Sequence, residues 1–320
     1  RMGKYIGKRF ISIIVTLFIL SIFVFWLTHN TSGDPAAVIL GSESTPEQID
    51  ALREQMGLND PLITQYVRWF KEALQGDFGD SYFRNEPALQ AVKESFIPTI
   101  EISLYAELIA VLIAIPAGIF AASRKGKMSD VVTSSINLIG LSLPNFLIAL
   151  IFILFFGVKL QAFPVSGYKT IAAEGAATHF KYLIMPVAAL AITQIPIIMR
   201  TTKSAMSEVL ATDYIKTTKA KGLKKVKVIL KHALRNSANT ILTVIGQGIG
   251  SLFAGAAVIE TIFTIPGMGQ LIVSSVLKRD YPIIQCVIML VGLVYIVINF
   301  IVDMLYGVVD PRIRITGKAK

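Results

Sequence analysis

Long runs without a charged side chain, separated by short charged segments, set the pattern of this chain. Phe10–Thr28 is uncharged over 19 residues, Val131–Val158 over 28, Tyr182–Met199 over 18, Asn236–Ile259 over 24 and Tyr281–Val302 over 22. A further stretch, about 98–122, holds Glu101 and Glu107 near its start and is then uncharged for 16 residues, from Leu108 to Ser123. A helix crosses the ~30 Å hydrocarbon core with about 20 mostly apolar residues. The runs are continuous and lack the two-residue alternation of barrel strands. The pattern predicts an all-α integral membrane protein with six transmembrane helices.

The basic residues orient it. Arg1, Lys4, Lys8 and Arg9, then Arg124, Lys125 and Lys127, then ten residues between Arg200 and Arg235, and finally Arg312, Arg314, Lys318 and Lys320 fall on one side, 21 of the 31 in the chain. The segment 30–97 on the other side holds 5 basic and 11 acidic residues. Lysine and arginine accumulate in cytoplasmic loops, so both termini are expected in the cytoplasm. Phe10–Thr28 could instead read as a signal peptide, but it exceeds the usual apolar region of about 7–15 residues and no small-x-small cleavage site precedes Asp34.

Composition narrows the class. With 53% hydrophobic and 16% charged residues and a mean hydropathy of +0.63, the chain falls well below the ~25% charge of soluble domains. Cys286 is the lone cysteine, which excludes a disulfide scaffold. The apolar content excludes intrinsic disorder. The net charge of +10 is mostly a topology signal, so the expected partner is the lipid bilayer and no nucleic acid. The organisation expected is residues 1–29 as tail and first span, 30–97 as an extracytoplasmic segment with short helices, 98–306 as a five-helix core, and 307–320 as a cytoplasmic tail.

Within 30–97, Thr45-Pro46-Glu47-Gln48 has the form of a capping box with proline at the first helical position, opening a helix to about Met56 that stops at Gly57. A second helix near Pro61–Leu74 places Ile63, Tyr66, Val67 and Phe70 on one face. Both read equally as interfacial helices or as a docking surface for something arriving from outside.

The segment 200–236 is the most charged. Its ten basic residues against Glu208 and Asp213 would suit anionic lipid. Yet Tyr214–Gly222 reads as a short helix closed by glycine, and Val226, Ile229, Leu230 and Ala233 follow at helical spacing. That arrangement favours a protein partner. In the fifth span Gly246, Gly250 and Ala254 recur every four residues, with Ser251 and Gly255 on a second row; such rows let helix backbones approach closely. Pro116, Pro144, Pro186 and Pro196 predict kinks.

Ionisable groups within spans are functional candidates by default. Glu101, Glu107, Glu260 and Asp303 all stand where they could reach an interface, and Asn145, Gln194, Gln247 and Asn299 could bond between helices. The sequence contains no G-x-x-x-x-G-K-[ST] phosphate loop and no H-E-x-x-H, and His29, His179 and His232 are scattered, so no catalytic, cofactor or metal site is expected. His232, among lysines, reads as a solvated residue.

Landmarks along nearly the whole chain are ordered in a family pattern. They are Gly33-Asp34-Pro35-Ala36, Gly57-Leu58, Asp60-Pro61, Gln65-Tyr66, Gly76-Asp77-Phe78-Gly79-Asp80-Ser81, Phe163-Pro164-Val165-Ser166-Gly167-Tyr168, Asp213-Tyr214, Ala220-Lys221-Gly222, His232-Ala233-Leu234-Arg235-Asn236, Glu260-Thr261-Ile262-Phe263, Pro266-Gly267-Met268-Gly269, Arg279-Asp280-Tyr281-Pro282 and Asp310-Pro311-Arg312. In these the chain resembles the B-type permease subunit of bacterial ABC importers for dipeptides, oligopeptides and nickel. The resemblance implies a type I importer transmembrane fold, without catalysis of its own. It implies a homologous second permease, two ABC ATPase subunits that bind ATP and magnesium, and an extracytoplasmic substrate-binding protein.

The resemblance also implies an ATPase-coupling motif, Glu-Ala-Ala-x3-Gly-x9-Ile-x-Leu-Pro in general form, over Tyr214, Lys216, Thr217, Thr218, Ala220, Lys221, Gly222 and Leu234. Here Lys216, Thr217 and Thr218 replace Glu-Ala-Ala, and His232 and Arg235 replace the isoleucine and proline. Peptide is the first expected cargo, with nickel or a metal chelate as the alternative. An autonomous gradient-driven carrier or channel is the reading from another class.

Overall fold

The computed structural model describes residues 2–30, 34–41 and 44–309. Gly33 and the tail from Asp310, including Arg312, Arg314, Lys318 and Lys320, lie outside the described residues. The helices are α1 (Met2–Asn30), α2 (Pro35–Leu40), α3 (Pro46–Gln55), α4 (Leu62–Ala73), α5 (Ala88–Ser123), α6 (Met128–Ser142), α7 (Asn145–Phe152, continued by a π-helix Ile153–Lys159), α8 (Ile171–Leu210), α9 (Asp213–Ala220), α10 (Lys225–Lys227, continued by a π-helix Val228–Ala233), α11 (Leu234–Phe263), α12 (Met268–Lys278) and α13 (Tyr281–Val309).

Five segments are long and apolar enough to cross a membrane: Arg9–Asn30, Ala88–Ser123, Ile171–Leu210, Lys225–Phe263 and Tyr281–Tyr306. The stretch expected as one third span is broken. Asp130–Ser142 and Asn145–Lys159 meet at 92°. Pro144 lacks a backbone N–H, and its ring pushes Leu143 into extended backbone at φ −92°, ψ 121°, so the ladder of helix bonds ends there. By contrast α8 runs on through Pro186 and Pro196, and its one non-helical residue is Gly175 at φ 79°.

The chain folds as two compact units. The first comprises Gly3–Thr99 and Pro266–Ile296, the second Ile100–Ile265 and the chain from Val297. In the first unit α1 leaves most of its surface open, with 17% of its apolar window buried. What it does bury meets α4. The Tyr66 hydroxyl lies 2.9 Å from Ser21 Oγ, Phe70 packs edge-on to Phe18, and Phe25 packs edge-on to Tyr66 and tilted against Trp69. The buried residues of α4 are therefore Gln65 and Trp69, while Ile63 stays 79% exposed. The face expected from Ile63 and Val67 is turned outward, because the aromatic side chains reach round α4 to α1.

The capping box of α3 forms as expected, with Thr45 and Gln48 bonding reciprocally, and Gly57 ends the turn at φ 66°. Asp34 caps the extra helix α2 through the Ala36 amide. A second cluster joins Ala88, Ala91 and Val92 to Met268, Leu271, Ile283 and Cys286, so the lone cysteine is core. Beside it the buried Asp280 carboxylate accepts bonds from Ser81 Oγ and the Tyr82 amide. Burial raises the Asp280 carboxyl above its usual range, and burial next to Asp280 raises the Tyr82 phenol.

The second unit is built around α8, whose apolar window is 61% buried. Leu183, Met185, Val187 and Leu190 pack with Ile102, Ala106, Ile148, Leu252, Ile259 and Phe263. Farther along, Ala110 and Ala114 of α5 close on Ile198 and Met199. Gly118 lets α5 meet the Met199 carbonyl, which a side-chain carbon would approach to 2.8 Å.

Candidate functional site

Two features of the second unit bear on function: the short helix α9 with its neighbours, and the polar groups of α5, α8 and α11.

Helix α9 is mounted on a core rather than hanging from a loop. Ile215 and Thr218 are its buried residues. Ile215 joins Ala122, Met206, Val228 and Ala233 in one apolar cluster, with Leu234 half-buried against it. Thr218 Oγ1 donates to the Tyr214 carbonyl at 2.7 Å. Asp213, Tyr214, Lys216, Thr217, Lys219, Ala220 and Lys221 are exposed. Gly222 follows the Lys221 cap at φ +75°, and a side-chain carbon placed there would have no heavy atom within 4 Å. The turn is left-handed, which other residues enter at a cost. The arrangement is a ledge packed on the core through Ile215 and Thr218, with a basic outer face. Lys216 Nζ pairs with Asp213 Oδ1 at 2.8 Å, so the acidic group of this helix stands one turn before Lys216.

The downstream spacing differs from a plain α-helix. Val228–Ala233 is π-helical, a geometry with i→i+5 bonding. The buried pair is accordingly Val228 and Ala233, five residues apart, whereas Val226 and Leu230 are exposed. His232, expected to be solvated, places Nδ1 2.7 Å from the Tyr214 hydroxyl and so ties α9 to the π-helix.

On α11 the small residues divide. Gly246 faces Val302, whose Cγ2 a side-chain carbon would meet at 2.5 Å, and Gly255 faces Asn145 Nδ2 at 3.3 Å. Gly250 is half-buried, while Ser251 and Ala254 are exposed. Ser251, Ala254, Gln247, Val258 and Thr261 share one exposed stripe. The residue that sequence reasoning missed is Gly248. A side-chain carbon there would strike Gln194 Nε2 and come within 2.9 Å of Glu107 Oε1. Glu107, expected at an interface, is 4% exposed and accepts from Gln194 Nε2 at 3.3 Å. Gln194 thus does bond between helices, as does Asn145, which donates to the Gly255 carbonyl at 3.4 Å. Glu260 is likewise buried. No local signal marks Gly248: Gln194 stands on α8 and Glu107 on α5, and only the crossing of these helices with α11 brings the three together.

Among the described residues, no group of three or more His, Cys, Asp or Glu side chains could hold a metal ion. These features define a polytopic membrane subunit with a mounted basic ledge. Residues 114–315 match the family described as binding-protein-dependent transport system inner membrane component, and residues 2–103 match its N-terminal membrane component. The chain belongs to this family of non-catalytic, multi-pass inner-membrane components of ABC transporters.

It is 40% identical over 313 residues to the probable peptide ABC transporter permease protein y4tP of Sinorhizobium fredii, covering 98% of this chain and 100% of that one. It is 36% identical to the glutathione transport system permease protein GsiC of Escherichia coli (strain K12), covering 98% and 99%. An inward-facing structure of the MetNI methionine ABC transporter superposes with a TM-score of 0.57 at 16% identity, covering 69% of this chain and 97% of that one. That likeness establishes the type I importer transmembrane fold.

Proposed function

We propose that the chain is one of two permease halves of an ATP-driven importer of short peptides, with α9 as its coupling helix. The observation that carries the reading is the mounting of α9: buried by Ile215 and Thr218, basic and exposed elsewhere. A packed ledge passes a push from an ATPase subunit into α8 and α11, whereas a tethered loop would absorb it. The exposed row of Gln247, Ser251, Ala254 and Thr261 supports a second permease across α11, because small and polar groups on a span suit a close protein neighbour better than lipid. The peptide cargo follows the relatives named above, and an extracytoplasmic binding protein would deliver it. ATP and magnesium belong to two partner ATPase subunits on the cytoplasmic side, where the basic residues put α9.

Alternating access needs two states that nucleotide and cargo bias differently. Gly222→Pro removes the left-handed turn after α9. In vesicles reconstituted with the partner subunits, it is expected to leave ATP hydrolysis running while peptide uptake falls to background. Coupled uptake at the wild-type rate would refute the assignment of α9. Peptide uptake driven by an ion gradient in vesicles holding this chain alone would replace the importer by a carrier.

A further inference from the structure

The loop between the π-helix after α7 and the start of α8 is held by three bonds inside the second unit. The Gly167 amide donates to the Phe263 carbonyl at 2.7 Å. The Tyr168 hydroxyl donates to Glu101 Oε2 at 2.6 Å. His179 Nδ1 lies 2.7 Å from the Lys169 carbonyl. A carbonyl oxygen only accepts, so Nδ1 carries a proton. In the neutral ring Nε2 is then a bare lone pair. That atom is fully buried without a hydrogen-bond partner, and it faces Glu101 Oε2 at 3.7 Å.

A buried imidazole lone pair facing a half-buried carboxylate oxygen is a costly arrangement. One proton on Nε2 resolves it, turning the pair into imidazolium and carboxylate. Around His179 stand Glu101 and Tyr105 of α5, Tyr168 and Lys169 of the loop, and Glu174 of its own helix, which pairs with Lys169 Nζ at 3.1 Å. The Phe180 and Tyr168 rings enclose it at 5.2 and 5.8 Å between centroids. The charge that faces Nε2 is thus the Glu101 carboxylate.

We infer that His179 and Glu101 form a proton-binding site that clasps the 160–170 loop to α5 and α8. With the proton bound, the loop is locked. Without it, the imidazole lone pair and the carboxylate repel and the loop loosens. On the importer reading, on which this placement rests, the clasp lies at the extracytoplasmic end of the second unit, so an acidic exterior tightens it.

Hydrogen exchange of residues 163–169, measured on the whole chain in lipid nanodiscs and corrected for the intrinsic pH dependence of exchange, tests the site. Protection is expected to fall about tenfold between about pH 5.5 and about pH 8.5. Glu101→Gln, with its amide nitrogen in the place of Oε2, can donate to the Tyr168 hydroxyl and to His179 Nε2 together, and should protect the loop equally at both pH values. His179→Asn retains a donor for Lys169 and lacks the titrating atom, and should leave the loop weakly protected at both.

A wild-type loop indifferent to pH, or a pH response that survives Glu101→Gln, would overturn the proposal. So would zinc restoring protection at the higher pH as fully as acid does, which would make this a metal site. The readout needs no partner subunit. An intact clasp beside failed coupling in vesicles would sink the importer assignment alone, and the reverse would sink only the clasp.

Discussion

Helices α1 and α11 have 29 and 30 residues, and both belong to segments apolar enough to span a bilayer. Their exposed faces are opposites. Between Phe10 and Leu27 of α1 the open positions are mostly large apolar groups that suit lipid chains, Phe10, Ile11, Ile14, Val15, Phe18, Ile19, Ile22, Phe23, Trp26 and Leu27, with Ser12 and Thr16 as the polar exceptions. On α11 the open stripe carries Gln247, Ser251, Ala254 and Thr261, and only Val258 would be at home among acyl chains. Apolar length therefore identifies a span without saying what its surface meets. The buried faces differ too: α1 is held by aromatic rings from α4, whereas α11 presses glycine against a carboxylate of α5.

The strongest test of that difference is Gly248→Leu. Its side chain would displace Glu107 and Gln194 at once, combining overpacking with a broken buried hydrogen bond. A loss of about 3 kcal/mol or more is expected, read as loss of folded protein in detergent unfolding titrations. A stable Gly248→Leu protein would show that α11 does not depend on that crossing.

The next test contrasts the two exposed faces directly. Ala254→Phe should leave insertion intact and cut uptake by the assembled complex about tenfold, because small residues set helix approach. Ile14→Ala on α1 should leave uptake unchanged. Equal effects of the two would erase the distinction between a lipid face and a protein face.

A smaller effect comes from Asp280 in the unit that contains α1. Its carboxyl is raised by burial, against the lowering bonds from Ser81 and Tyr82. The folded chain thus holds this proton at pH values where the unfolded chain has lost it. The associated stability is complete below the ordinary carboxylate range and is lost as pH rises through the raised value. Asp280→Asn should flatten the stability profile across that window. A profile that keeps its slope would assign it to another group. The smallest effect is Tyr66→Phe, which removes the bond to Ser21. Membrane hydrogen bonds average about 0.6 kcal/mol, and a loss of that order in thermal unfolding is expected.

The helix ends show why some of this is legible in the sequence and some is not. Thr45, Pro46 and Gln48 act within four residues, as do Lys221 and Gly222, so their geometry is written in local order. Asp34-Pro35 carries the same kind of cap-and-proline signal for α2, and it is equally local. The 92° break at Pro144 goes further than a kink. Proline states that a bond is missing but not how far the axis turns, and packing of α6 and α7 against α8 sets that angle. The buried face of α4 departs from its periodicity, which counts Ile63 and Val67 as equal to Tyr66 and Phe70, while only the rings are long enough to reach α1. His232 reads as solvated because its neighbours in the chain are lysines; its partner Tyr214 is 18 residues away.

The order of residues by itself determined that this is a multi-pass helical membrane protein of the importer permease family, since apolar run length and the family's landmarks are properties of the chain read in one dimension. Which side of each helix is left open, packed on a neighbouring helix or set against a buried carboxylate was decided only by the tertiary structure. Glu107 over Gly248, and His179 against Glu101, are juxtapositions across helices. A helix's own period fixes the angular position of a side chain but not the neighbour that will stand opposite it.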